Sequence, residues 1–338
     1  MTNPIDALLA EKGVLLADGA TGTNLFAMGL AAGEAPELWN TADPDKIVAL
    51  HQGFVDAGAD IILTNSFGGT RHRLKLHDAQ DRVHELNRAA AAIARSVADK
   101  AGRKVIVAGS VGPTGELLEP LGAMTYPQAV EAFTEQIKGL KAGGADVAWI
   151  ETMSAPDEIR AAAEAAISVG LPYTYTASFD TAGRSMMGLH PKDIHGVVSG
   201  LAQSPVAVGA NCGVGASDIL SSLLDMTDAA PEATVVVKGN CGIPEFRGAE
   251  IYYSGTPELM GDYARLAVDA GAKIIGGCCG TSFVHLRAMR DAIDEHVKSV
   301  RPSVADVVTR IGPMRNKPAN ESGAGSGGER RERRRGRG

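Results

Sequence analysis

The feature that most constrains this chain is a four-residue refrain. Ala57-Gly58-Ala59-Asp60, Gly143-Gly144-Ala145-Asp146 and Ala270-Gly271-Ala272-Lys273 each sit where helical periodicity gives way to a short apolar run. Glycine at such a point permits the left-handed backbone that stops a helix. The unbroken apolar run after it reads as a strand buried on both faces, the signature of a parallel sheet. A chain that rotates through helix, glycine stop and buried strand has few architectures open to it.

Eight such strands are predicted, at Val14–Ala17, Asp60–Thr64, Lys104–Ala108, Val147–Ile150, Tyr173–Ser178, Val206–Ala210, Thr234–Lys238 and Lys273–Gly276. Amphipathic segments lie between them, at Pro44–Ala57, Asp81–Lys100, Pro127–Ala142, Pro156–Val169, Ala216–Ala229, Pro257–Ala270 and Phe283–Val297. Several open on proline, whose missing N–H is harmless in a first helical turn. Eight β-then-α units predict a (β/α)8 TIM barrel, since so many consecutive units close more naturally than they stay open as a doubly wound sheet. The barrel is expected over residues 1–300. A C-terminal extension follows over 301–338, expected to be disordered and Arg-rich from about 318.

Charge narrows the partners. The net charge of −7 includes a final ten residues, Glu329 to Gly338, with six Arg and two Glu. The rest of the chain is therefore more acidic than the total suggests, which argues against a nucleic-acid-binding body. The arginine run reads first as a solvated tail, and second as a contact for RNA or an acidic protein. Neither a signal peptide nor a membrane span is evident, so a cytoplasmic protein is expected. Four cysteines, two of them adjacent, are a poor disulfide framework.

In a (β/α)8 enzyme the chemistry lies where strands end. All four cysteines leave predicted strands on that rim: Cys212, Cys241, Cys278 and Cys279. Cysteines serving only as small buried hydrophobes would also occupy strand interiors and helix faces. Cys212, Cys278 and Cys279 instead read as three thiolate ligands of a catalytic Zn2+ with its fourth position open. A fourth thiolate would close the site, so Cys241 reads as a neighbour. An all-sulfur shell is a weak Lewis acid that can still bind a substrate thiol and lower its pKa, which suits alkyl transfer better than hydrolysis. Asp18 and Glu151 could hold an ammonium, and the amides after Asp18, at Gly19 and Ala20, a carboxylate.

Together these motifs resemble the homocysteine S-methyltransferase family. The residues that carry the resemblance are Asp18-Gly19-Ala20-Thr21-Gly22-Thr23, Thr64-Asn65-Ser66-Phe67, Gly109-Ser110-Val111-Gly112-Pro113, Glu151-Thr152, Gly209-Ala210-Asn211-Cys212 and Gly276-Gly277-Cys278-Cys279-Gly280-Thr281. The resemblance covers residues 10–296 and implies a zinc-dependent barrel that methylates homocysteine to methionine. It implies Cys212, Cys278 and Cys279 as zinc ligands, and Asp18, Gly19, Thr64 and Glu151 as contacts to the amino-acid end of homocysteine. Asn211 and Cys241 would stand behind the metal.

Among such enzymes the chain looks most like the bacterial betaine-type members, so betaine is the favoured donor. A quaternary ammonium is best held by an aromatic cage, for which Trp39 and Phe67 are candidates. Gly68 and Thr152 replace tyrosines of the animal betaine enzymes, and here resemble the homocysteine module of cobalamin-dependent methionine synthase. S-Methylmethionine, or a methylcorrinoid brought by a separate protein, are the alternative donors. A homo-oligomer is compatible with all of these. A different class, a lyase working through a Schiff base on Lys238, leaves the cysteines unexplained.

Overall fold

The computed structural model describes residues 3–242, 244–247 and 250–316. Eight parallel strands form one sheet: β1 (Leu15–Leu16), β2 (Ile61–Leu63), β3 (Ile106–Val111), β4 (Val147–Met153), β5 (Tyr173–Ala177), β6 (Ala207–Cys212), β7 (Val235–Gly239) and β10 (Ile274–Gly277). Their order is β1-β10-β7-β6-β5-β4-β3-β2, and a parallel bridge from Ala17 to Ile61 joins the two outer strands. The expected (β/α)8 barrel is therefore present. The three refrain glycines, Gly58, Gly144 and Gly271, all have φ near +100° (103°, 98° and 100°), the helix-stopping conformation that only glycine adopts freely.

Strand residues alternate between two apolar layers, as a period of two requires. Leu15, Ile61, Ile106, Val147, Val236 and Ile274 form one buried cluster inside the barrel. Their neighbours Leu16, Ile62, Val107, Ala148, Val237 and Ile275 pack outward against the helices. The interior is plugged from below by the helix Pro4–Lys12, whose Ile5 and Leu8 join the inner cluster. Asn3 caps that helix through its side chain, and Lys12 reaches Asp60 at the start of β2 at 2.6 Å.

Three parts of the architecture differ from expectation. No α-helix separates β5 from β6 among the described residues; the 3-10 turn Pro191–Gly196 takes that place. A hairpin, β8 (Pro244–Arg247) with β9 (Glu250–Tyr253), follows β7 as an insertion on the catalytic rim. The packed body also runs past residue 300. Helix Val304–Ile311 buries Val307 and Ile311 in the outer core, and the Arg315 and Asn316 amides donate to Asp218. The Arg-rich tail expected from about 318 lies outside the described residues. No helix among those described is long and apolar enough to cross a membrane.

Candidate active site

Above the inner apolar cluster the same inward positions turn polar: Ser110 on β3, Glu151 on β4, Thr176 on β5, Asn211 on β6 and Lys238 on β7. Of these, Ser110, Glu151 and Lys238 form the floor of a cavity of about 510 Å³ at the C-terminal ends of the strands. That size is ordinary for a small-molecule site. Cys212, Cys278, Cys279, Gly19, Ala20, Thr64, Glu151 and Phe67 line it, as do Lys238 and the unforeseen Phe26, Glu37 and Tyr253. Asp18, Trp39, Asn211 and Cys241 are not among its lining residues.

The three half-buried cysteines bring their Sγ atoms within 4.8 Å of one another, the one such metal-capable group found among the described residues. Cys212 ends β6 in the left-handed region at φ 63°, and Thr152 does the same on β4 at φ 59°. Such conformations are costly for residues other than glycine and persist where the surroundings fix them. Asn211 does much of that fixing. Its Oδ1 accepts from the Thr152 amide at 2.7 Å and the Thr176 hydroxyl at 2.6 Å. Its Nδ2 donates to Thr152 Oγ1 at 2.7 Å and to Cys278 Sγ at 3.8 Å.

The thiols titrate as a cluster. Hydrogen bonds from Cys212, Cys278 and the Tyr253 hydroxyl hold the Cys279 thiolate well below the usual thiol range. The Cys212 thiol is pushed up by its bonds to the other two sulfurs. Three thiols held this close repel one another when ionised, and a bound cation would offset that charge. Cys241 is fully buried, burial pushes its thiol up to about 12, and its amide donates to the Cys279 carbonyl at 2.9 Å. It supports the ligand loop through its backbone. Asn240, beside it, donates to the Gly213 carbonyl at 2.8 Å and keeps a buried Oδ1 without a partner.

The charged floor departs most from expectation. Asp18, 1% exposed, accepts from Lys238 Nζ and from the Leu63 amide, both at 2.7 Å. It stands behind Lys238 rather than in the cavity. Burial pulls the Lys238 ammonium down, but Asp18 and Glu151 more than offset this and the net shift is upward. A Schiff-base lysine needs the opposite, a depressed pKa, so the geometry speaks against a lyase. Burial pushes Glu151 up to about 7, with Lys238 and the Ser110 hydroxyl pulling the other way. Trp39 packs on the outer core with Lys46 Nζ 4.1 Å from its ring, away from any cage. Phe67 does face the cavity, its ring laid on Gly112, where a Cβ would fall 2.6 Å from Cε2.

Residues 15–293 match the profile of the homocysteine S-methyltransferase family. The chain belongs to that family. It is 31% identical over 332 residues to methionine synthase of Mycobacterium tuberculosis and 30% identical over 340 residues to that of Mycobacterium leprae. Each match takes in 92% of this chain but only 27% of the relative, so the chain spans about a quarter of those proteins. Among solved structures, the metallated form of the homocysteine methyltransferase MmuM from Escherichia coli superposes with a TM-score of 0.71 at 25% identity. That match covers 86% of this chain and 99% of the other. Membership accounts for the cysteine triad and the barrel together. It leaves open what Lys238 does.

Proposed function

We propose that this protein transfers a methyl group to the thiol of homocysteine, giving methionine, at a Zn2+ site made by Cys212, Cys278 and Cys279. The observation that carries the reading is three cysteines from two strands gathered over a floor with both a carboxylate and an ammonium. Bound there, Zn2+ would supply a lowered pKa for the acceptor thiol. Glu151 receives the acceptor's ammonium, which draws the carboxyl back toward its ionised form. The Ser110 hydroxyl donates to Glu151 Oε1 and fixes the direction of the remaining lone pairs. Asn211 keeps Thr152 in its strained backbone and shares the charge on Cys278. Three free thiols on one rim suit a reducing compartment such as the cytoplasm.

The shape of the mouth bears on the donor. With Trp39 turned away, the lining aromatics are Phe26, Phe67 and Tyr253, and Phe26 and Phe67 are 53% and 37% exposed. Leu117, Leu121 and Met186 stand exposed on neighbouring rim loops. A broad apolar rim suits a methyl group carried on a macromolecule better than a tight cage around a small cation. A methylcorrinoid delivered by a separate protein is therefore the first reading. Betaine, favoured by sequence, becomes the second, with S-methylmethionine beside it.

The test is a donor panel. Zinc-loaded protein is given homocysteine with methylcobalamin, betaine or S-methylmethionine, and methionine is measured. About one zinc per chain and methionine from at least one donor are expected. No methionine from any of them sinks the methyltransferase reading, and full turnover by metal-free protein removes the zinc.

A further inference from the structure

We infer that Lys238 anchors the carboxylate of the acceptor thiol, with Asp18 behind it as the residue that holds it in position. The inference rests on homocysteine as the acceptor and adds the group that reads its acid end. Strand alternation places Lys238 inward: Val236 lies in the inner cluster, and Lys238 is one pleat nearer the mouth. The side chain is 2% exposed yet borders the cavity, whereas its partner Asp18 does not. An ammonium has three N–H donors. One is committed to Asp18 Oδ1, and the second Asp18 oxygen is taken by the Leu63 amide.

The surroundings are shaped for this lysine. A Cβ at Gly276 on β10 would fall 2.9 Å from Lys238 Cγ, so the neighbouring strand yields its side-chain space to the lysine stem. The Trp149 ring lies on its other side, 6.0 Å from Nζ. The backbone cradle expected for a carboxylate is meanwhile partly used. Its Ala20 amide donates to the Thr281 carbonyl at 3.1 Å.

Charge leads to the same residue. Without Lys238 the floor would present Glu151 and the thiols, all anionic when ionised, and a carboxylate would be repelled. The other lining residue with a permanent positive charge, Arg73, acts on Glu37 instead. Lys238 and Glu151 together match a zwitterion, one group for each end. Charge-assisted bonds of this kind are the strong ones.

The experiment is calorimetric binding of three thiols to the zinc-loaded full chain. They are homocysteine, 3-mercaptopropylamine (ammonium without carboxylate) and 4-mercaptobutyrate (carboxylate without ammonium). Wild type is expected to bind homocysteine about 10- to 100-fold more tightly than 3-mercaptopropylamine. Lys238→Met should bring that ratio near one while preserving the preference over 4-mercaptobutyrate. Because this change strands Asp18 as a buried charge, the double variant Asp18→Asn with Lys238→Met is run beside it. Arg73→Met should leave the ratio unchanged. Equal binding of homocysteine and 3-mercaptopropylamine by wild type overturns the assignment. So does a ratio that persists in the double variant, or one that collapses in Arg73→Met. If wild type binds 4-mercaptobutyrate as tightly as homocysteine and Lys238→Met weakens both, the amino-acid reading fails and the lysine's role stands.

Discussion

The barrel interior holds two layers made by the same strands and the same alternation, yet they share almost no chemistry. The lower layer is Ile61, Ile106, Val147, Val236 and Ile274, sealed by Ile5 and Leu8 of the first helix. Nearer the mouth, the same inward face of β3, β4 and β7 presents Ser110, Glu151 and Lys238. The lower layer gains from burial alone. The upper layer is buried charge and hydroxyl, tolerable because each polar group is paired. One end of the barrel stores stability and the other uses it, so substitutions in the two layers should fail in different ways.

The largest effect tests the upper layer. Cys279→Ala should cost at least about 100-fold in zinc affinity, beyond the loss usual for an outer partner, and turnover with it. Zinc content by atomic absorption and a thermal melt check this, and a folded variant that keeps full activity breaks the division. In the lower layer, Ile106→Ala should destabilise by about 2–5 kcal/mol in denaturant unfolding, the usual range for a buried isoleucine. Its zinc affinity should be unchanged; a parallel loss of metal would show the layers to be coupled.

Asn211→Ala sharpens the boundary, since Asn211 does not line the active-site cavity but braces the strained Thr152 and touches Cys278 Sγ. A 10- to 100-fold drop in zinc affinity is expected, roughly the effect of removing a metal's outer partner. The smallest effect is in pH. Glu151, pushed up to about 7, is protonated below that value and cannot then receive an ammonium. kcat/KM for homocysteine should rise about tenfold from pH 6 to pH 8, and Glu151→Gln should flatten that limb. The sign for stability is opposite. The folded pKa lies above the unfolded one, so this carboxyl's contribution is lost as pH rises from its ordinary range through 7.

Much of this was legible because period and punctuation carry it. The refrain glycines fix where helices stop, and the strands begin within a residue or two of where valine and isoleucine runs predict. The cysteines were legible because strand ends share one rim. Trp39 was not, since position after a strand does not say which way a side chain turns, and its ring found Lys46. The β8–β9 hairpin and helix Val304–Ile311 were missed because both lie outside the repeating unit. Lys238 did leave a signal. A lysine closing the run Val235-Val236-Val237 in a central strand must be buried, and a buried ammonium must have a partner. Only the fold shows that partner to be Asp18, 220 positions away in the chain.

The anchoring of Arg315 and Asn316 on Asp218 has a practical consequence. Asp218 opens the helix that follows Cys212, so residue 316 is held on the catalytic pole, while Asn3 lies at the sealed pole. A group attached at residue 316 itself would be held at high effective concentration near the cavity mouth. A bead or fluorescent protein fused there would compete with a donor carrier, whereas the same fusion ahead of Asn3 would leave the mouth clear. Asn3 and residue 316 thus offer a pair of handles, one for leaving the site alone and one for crowding it.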